Sequence, residues 1–282
     1  MNPFIDPVNA KEFDVAVGVL RNFFKSKGFV EAAVQHRLSI LSACEDPFNV
    51  ATFDYAGEVW PLTQTGQMQL EYELLNNPDV YGFFCITTSY RQEPEPQEGR
   101  HNLIFPMFEF EMHGSMFVLR ALENDLLKYA GFKNYVWPRM AYGGLADRYG
   151  VKELTGEHEA RINADFGRVF FLEYFPEYTS PFWNMKRDGD LAKKIDVILH
   201  GIETIGSAER STNPDEMRDL FHSISGGAYA RQLYAKFTKA RVEKELEDFL
   251  SLDFFPRSGG GIGMNRWIRA LKLEGLMSNF TT

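Results

Sequence analysis

Two apolar runs with strand character, Val80–Tyr90 and Leu103–His113, are joined by the Pro-, Glu- and Gly-rich segment Gln92–Gly99. A connection of this composition reads as a loop with no crossover helix, which joins antiparallel neighbours. The same holds further on, where Ile195–Ile205 reads as two short strands around a His200-Gly201 turn, with Val169–Tyr174 another strand before it. Strands linked by hairpins, without regular crossover helices, predict an antiparallel sheet flanked by helices and hence an α+β fold. The helices surround this unit. Residues 8–27 carry Phe13, Val17, Leu20, Phe23 and Phe24 at helical spacing, with Lys27-Gly28 as the stop. Pro61-Leu62-Thr63 leads into a helix near 66–76, and 116–130 is helical. Ala141–Ile162 is mixed and helical, Pro214–Leu250 holds one or two amphipathic helices, and Gly259–Leu273 is a glycine-rich turn followed by a helix. With no internal repeat and no sharp boundary, residues 1–282 read as one domain with helical lobes about 145–170 and 212–245.

Charge narrows the function. The formal net charge is −9. Nucleic-acid affinity rests largely on Lys and Arg neutralising phosphates, so this chain is not built as a general polyanion binder. Cys44 and Cys85 stand alone without a CxxC or Cys/His cluster, which excludes a disulfide framework and a structural zinc site. The N-terminal stretch is acidic and no apolar run approaches 18 residues, so the expectation is a cytoplasmic protein with no membrane partner.

Three segments carry chemistry. In residues 89–111, SYRQEPEPQEGRHNLIFPMFEFE, the period of two puts Phe105, Glu109 and Glu111 on one face and Arg91 and Glu93 together on theirs. Two acids and an aromatic on one face predict a wet groove, since burying them needs a polar ligand or a cation; an exposed polar face is the bland alternative. Gly259 to Gly263, then Met264-Asn265-Arg266, allow close backbone approach and set an Arg in a first helical turn, suited to phosphate. Asp196 and Glu203 flank the His200-Gly201 turn, which can bring both carboxylates to one side, as Mg²⁺ held with substrate phosphates requires.

In this order the segments resemble the class II aminoacyl-tRNA synthetases, in particular the catalytic core of the aspartyl, asparaginyl and lysyl subgroup. Arg91-Gln92-Glu93, then Arg100-His101 through Phe105 and Glu109, is similar to the family's second motif, and Gly259 to Arg266 to its third. Asp196, Glu203 and Arg210 fall at the spacing of the metal-and-substrate strand pair, and LTQTGQMQLE (62–71) is similar to the amino-acid-binding segment of the asparaginyl enzymes. Departures exist. Gln35 stands near the proline expected in the first motif, Asn265 replaces an acid, Ile104 a glutamate, and Leu70 the lysine of the aspartyl enzymes.

The resemblance implies an ATP-dependent ligase that makes an aminoacyl-adenylate, with ATP and Mg²⁺ as cofactors. It implies Arg91 and Arg266 as catalytic residues, and Arg91, Glu93, Arg100, His101, Phe105, Gly261, Gly263 and Arg266 as ATP-binding. Thr65, Gln67, Glu71 and Arg210 would bind the amino acid, and Asp196 and Glu203 the metal. It implies a homodimer. For the acceptor, the acidic loop Glu93–Glu98 and the lack of room for an N-terminal anticodon-binding domain favour a small amine such as ammonia, as in asparagine synthetases that look like this core. Transfer to tRNA is the alternative, and a silent regulatory paralogue that binds amino acid or nucleotide the third reading.

Overall fold

In the computed structural model, residues 7–35, 38–41, 47–96, 102–133 and 136–277 are described. In chain order the elements are α1 (Ala10–Ser26), β1 (Val30–Glu31), β2 (Thr52–Tyr55), β3 (Glu58–Pro61), α2 (Gln67–Asn76), β4 (Gly82–Tyr90), β5 (Ile104–His113), α3 (Met116–Tyr129), β6 (Arg139–Ala141), α4 (Tyr142–Tyr149) and α5 (Gly156–Phe166). There follow β7 (Val169–Pro176), β8 (Arg187–Asp188), β9 (Leu191–Leu199), β10 (Ile202–Glu209), α6 (Pro214–Ser223), α7 (Ala228–Phe237), α8 (Lys239–Leu250), β11 (Arg257–Gly263) and α9 (Met264–Leu273). The main sheet runs β1-β4-β5-β11-β10-β9-β7-β6, with β8 against β9; β2 and β3 form a separate hairpin. All of its interior pairings are antiparallel, as expected, and the two edge pairings, β1 with β4 and β6 with β7, are parallel.

The local chemistry of the ends explains several elements. Asn9 caps α1 by accepting from the amides of Lys11 and Glu12, and Gly28, at φ 87°, lets the chain leave it. Asn213 caps α6 in the same way, with Pro214 in the first turn, where its missing N–H costs nothing. His200 and Gly201 both take positive φ, 48° and 76°, giving the two-residue turn whose twist suits an antiparallel hairpin.

One face of the sheet, the back, is closed by α1, α3 and α9 around a dry core. Here the phenylalanines are spent: Phe24 on α1 has the rings of Phe29, Phe84, Phe108 and Phe110 at 4.9 to 6.0 Å. On the opposite face α2 packs over β4 and β5, while α4 and α5 cover β7. The strip between them, over β11, β10 and β9, holds the candidate site.

Two expectations are corrected. The glycine run 259–263 is a strand, β11, in the middle of the sheet and not a turn. The reason is space. A Cβ at Gly259 would stand 1.9 Å from Glu111 Oε2, and one at Gly260 would stand 2.5 Å from Ser207 Cβ. Only a strand without side chains fits between those neighbours, and this outweighs the low strand propensity of glycine. Residues 214–250 form three helices and a short 3₁₀ turn instead of one or two helices, because Ser225 and Gly226, and then Thr238 at φ 68°, break the run with positive φ.

Candidate active site

Register decides what faces the strip. Gly206 pairs with Asp196 and with Gly261, Gly259 pairs with Glu111, and Gly261 pairs with Glu109. Paired residues share a face and side chains alternate. The half-buried floor of the strip is therefore bare backbone at Gly206, Gly261 and Gly263, while Gly259 lies beneath the Glu111 carboxylate. One wall rises from β5 and α2, the other from β9 and the end of β10.

The β5 wall is a closed polar network. Thr65 and Thr87 hydroxyls and the Gly66 amide all donate to Glu109. Gln67 Nε2 donates to Glu111 Oε2 (2.6 Å) and to the Phe110 carbonyl (2.9 Å). Arg210 donates to Glu111 through Nε and Nη2, at 3.1 to 3.3 Å, and its Nε lies 3.6 Å from Glu71. Arg257 donates to Glu71 Oε2 through Nε (3.2 Å) and Nη2 (2.7 Å), and Asn184 Nδ2 donates to Glu71 Oε1 (2.7 Å). Burial raises the pKa of Glu109 against the pull of these donors, and raises Glu111 to about 7 despite Arg210. The expected amino-acid residues Thr65, Gln67, Glu71 and Arg210 thus come together. The wet groove expected along Glu109 and Glu111 is corrected: both acids are enclosed, because Thr65, Gly66 and Thr87 supply the partners of Glu109, and Gln67 and Arg210 those of Glu111, that solvent would have supplied.

The opposite wall holds Asp196 and Glu203. The two-residue turn pairs Glu203 with Ile198, which puts it on the face of Asp196, and a bulge at Thr204 then sets Gly206 opposite Asp196 on that same face. Both carboxylates crowd the bare Cα of Gly206, where an added Cβ would meet Glu203 Oε1 at 2.9 Å and Asp196 Oδ1 at 3.6 Å. Lys194 Nζ donates to Asp196 Oδ2 (2.7 Å), while buried Oδ1 has no partner. Burial, then the Glu203 charge, pushes the Asp196 pKa up to about 7. Among the described residues no cluster of three or more His, Cys, Asp or Glu could hold a metal alone. Two oxygen donors beside an unpartnered oxygen fit Mg²⁺, which keeps water and takes its other ligands from phosphates.

The rim carries the phosphate and base candidates. Arg91 follows β4 on the site face, 3.6 Å from Glu93 and with its guanidinium 5.3 Å from the Phe105 ring centre. Arg266, in the first turn of α9, donates to the Glu203 carbonyl (2.7 Å) and has the Glu203 carboxylate at 4.0 Å. Gly263 leaves the floor open beside it, since a Cβ there would meet only the Arg266 Cδ, at 3.8 Å. Arg100 and His101 lie outside the described residues. His200 faces Glu274 at 2.8 Å and takes no part in the amino-acid network. The sequence reading missed Arg257, Asn184, Lys194 and Thr87. Arg257 carried a signal, a lone charge opening a strand otherwise made of small residues; Asn184 carried none.

A glycine-floored strip on an antiparallel sheet, walled by a paired carboxylate site and a buried Glu–Arg network, is the architecture of a class II synthetase catalytic core. The sequence model of tRNA synthetases class II (D, K and N) matches residues 9–274, and the chain belongs to that family. Among curated relatives, an aspartate–tRNA(Asp) ligase of Pyrobaculum aerophilum is 25% identical over 94% of this chain and 65% of its own length. An asparagine–tRNA ligase of Pelotomaculum thermopropionicum is 28% identical over 88% of this chain and 62% of its own. The chain therefore spans a little under two thirds of these relatives. Among solved structures, asparaginyl-tRNA synthetase from Pyrococcus horikoshii complexed with asparaginyl-adenylate superposes with a TM-score of 0.75, at 20% identity over 94% of this chain and 65% of that one. The Entamoeba histolytica enzyme with asparaginyl-adenylate gives 0.71 at 18% identity, over 96% and 65%. Among the described residues no helix is long and apolar enough to cross a membrane.

Proposed function

We propose that this chain is a single catalytic domain that activates an aspartate- or asparagine-like amino acid with ATP. It forms the aminoacyl-adenylate and releases pyrophosphate. The observation that carries this reading is the bare glycine floor between the Asp196–Glu203 pair and the Glu71–Glu111–Arg210–Arg257 network. A flat nucleotide and a zwitterion need such a trough, phosphate at one wall and amino acid at the other.

Roles follow from position and charge. Arg91 holds the α-phosphate while an oxygen of the amino acid's carboxylate attacks phosphorus and the pyrophosphate oxygen leaves. No general base is needed, because that carboxylate is already ionised at neutral pH. Adenine stacks on Phe105 and is covered by Arg266; Glu93 orients Arg91, 3.6 Å away. Gly261 and Gly263 let the nucleotide lie against backbone; Arg100 and His101, outside the described residues, are assigned by the family resemblance alone to the γ-phosphate or the acceptor. Glu71, Gln67 and Arg210 shape the amino-acid end, and Thr65 acts through Glu109. Asp196 and Glu203 would hold Mg²⁺, which supplies charge neutralisation on the phosphates.

For the second half-reaction we infer a small amine, such as ammonia, attacking the adenylate carbonyl and expelling AMP. The net charge of −9 supports this reading, because it disfavours a large RNA footprint. The relatives' names favour a second reading, transfer to tRNA. We place the protein in the cytoplasm as a homodimer, a state that light scattering would check.

Amino-acid-dependent exchange of pyrophosphate into ATP, with Mg²⁺ and without tRNA, tests the first half. Exchange with aspartate or asparagine supports it, and repeating the reaction with ammonia or tRNA identifies the acceptor. ATP binding without exchange for any amino acid would favour the regulatory paralogue.

A further inference from the structure

Asn184 lies in the segment just before β8 and is fully buried. Its backbone is pinned, with the Ser211 amide donating to its carbonyl (2.8 Å) and the neighbouring Met185 bridged to Arg210. Its side-chain orientation is set by Glu71. Nδ2 donates to Glu71 Oε1 at 2.7 Å, and the flipped amide would set Oδ1, an acceptor, against that carboxylate oxygen. Glu71 is itself fixed. Arg257 grips its other oxygen through two nitrogens, places Nη1 on the Ser211 carbonyl (3.0 Å) and lays its guanidinium 4.8 Å from the Phe254 ring centre. Arg257, Glu71 and Asn184 thus form a rigid chain of three buried side chains, ending in an oxygen.

That oxygen, Asn184 Oδ1, has no hydrogen-bond partner. An amide oxygen buried without a donor is costly, and a native chain keeps one where something else completes it. Arg257, which shares Glu71 with Asn184, directs its donors to Glu71 and the Ser211 carbonyl, and Arg210 directs Nε and Nη2 to Glu111. Resting on the proposed amino-acid activation, we propose that Asn184 is a specificity-determining residue whose Oδ1 accepts a hydrogen bond from an N–H of the bound amino acid. Arg257 is the positioning residue that keeps that oxygen in place through Glu71. An acceptor of this kind rewards a donor and penalises a carboxylate oxygen set against it, so it discriminates an amide from an acid at the same reach.

The test uses the full chain with Asn184→Ala and, as a smaller change that keeps an acceptor, Asn184→Ser. Asparagine and aspartate are titrated calorimetrically and used as substrates in pyrophosphate exchange, with the melting temperature of each ligand-free variant measured alongside. If the donor is a side-chain amide, Asn184→Ala raises Kd and KM for asparagine about tenfold and lowers those for aspartate, with kcat within about threefold. A Kd that rises for both amino acids together, with the desamino analogue succinamate binding wild type and variant alike, would place the donor at the α-ammonium and overturn the specificity role. In either case Asn184→Ser recovers part of the loss. A variant that melts lower but keeps unchanged affinities for both amino acids overturns the proposal, since Asn184 would then be structural or its oxygen held by water. Wild-type protein that binds an amino acid with Asn184 sensitivity but shows no exchange would sink the activation reading and leave this one standing.

Discussion

Asp196→Asn should make the ligand-free protein more stable while abolishing its Mg²⁺-dependent chemistry. Asp196 sits buried beside Glu203, its Oδ1 unpartnered, with a pKa pushed from 3.8 to about 7. A carboxyl whose folded pKa is raised binds its proton more tightly in the folded state. Stability is therefore lost as pH rises from about 4 through 7, and the whole cost is present above 7. At roughly 1.4 kcal/mol per pH unit, the interval from 3.8 to about 7 sets a ceiling of about 4 kcal/mol. Asparagine keeps the shape but weakens the charge-assisted bond from Lys194, so we expect a net gain of about 2 kcal/mol at pH 8.

The assay is urea denaturation at pH 8 with a chelator present, for wild type and variant, repeated at pH 6 and 4.5. The variant's advantage should be largest at pH 8 and shrink steadily towards pH 4.5, where the folded-state carboxyl is protonated and only a minor part of the cost remains. Added Mg²⁺ should stabilise wild type only, and exchange by the variant should fall by about a hundredfold or more. A variant no more stable than wild type at pH 8, or an advantage independent of pH, would refute the picture of two carboxylates held together for a cation.

The glycine floor makes a paired prediction. Gly259→Ala sets a Cβ 1.9 Å from Glu111 Oε2 and 2.3 Å from the Phe110 carbonyl, so denaturant titration should show a loss of about 3 kcal/mol or more. Gly263→Ala meets nothing closer than 3.8 Å and should change stability by less than about 1 kcal/mol, yet weaken ATP binding if the nucleotide lies there. Arg91→Ala should lower exchange by about 10²–10³-fold with an unchanged far-ultraviolet spectrum, since this half-exposed side chain supports no core. Glu123 lies behind the sheet, taking a bond from Ser207 (2.6 Å), and burial raises its pKa to about 8. Its stability cost grows as pH rises from about 4.5 to 8, so Glu123→Gln should gain on wild type across that range in urea titrations and level off above it.

What the sequence showed and what it hid divide along a physical line. The strands β4 and β5, the His200-Gly201 hairpin and the common side of Asp196 and Glu203 were legible because each rests on local periodicity and turn chemistry. The family motifs placed Thr65, Gln67, Glu71 and Arg210 as a group, and the fold brings them together. β11 was illegible as a strand because glycines carry no periodic signal; its conformation is imposed by Glu111 and Ser207 on the neighbouring strands. The enclosure of Glu109 and Glu111 was hidden for a related reason. Their partners arrive from α2 and from the far side of the sheet, and a pattern read along one strand contains none of them. Asn184 and Arg257 belong to that class: Arg257 lies 186 residues from the Glu71 it holds.

The two walls of the strip are finished to different degrees, and the difference bears on how the site would work. On the β5 side each oxygen of Glu71 and Glu111 takes a donor from the protein, so that wall is built before any ligand arrives. Preorganisation of this kind lowers the entropy lost on binding and favours selectivity. On the β9 side Asp196 Oδ1 takes nothing and its carboxyl is held against the Glu203 charge. Completing that wall requires positive charge, and placing a cation there relieves repulsion already present in the fold. On the proposed function, the protein's own side chains would specify the amino-acid end, while the phosphate end would be completed by what the nucleotide brings with it. The glycines between them keep the path clear, and the packing of β11 against Glu111 ties the integrity of the amino-acid wall to the same bare strand on which the nucleotide would lie.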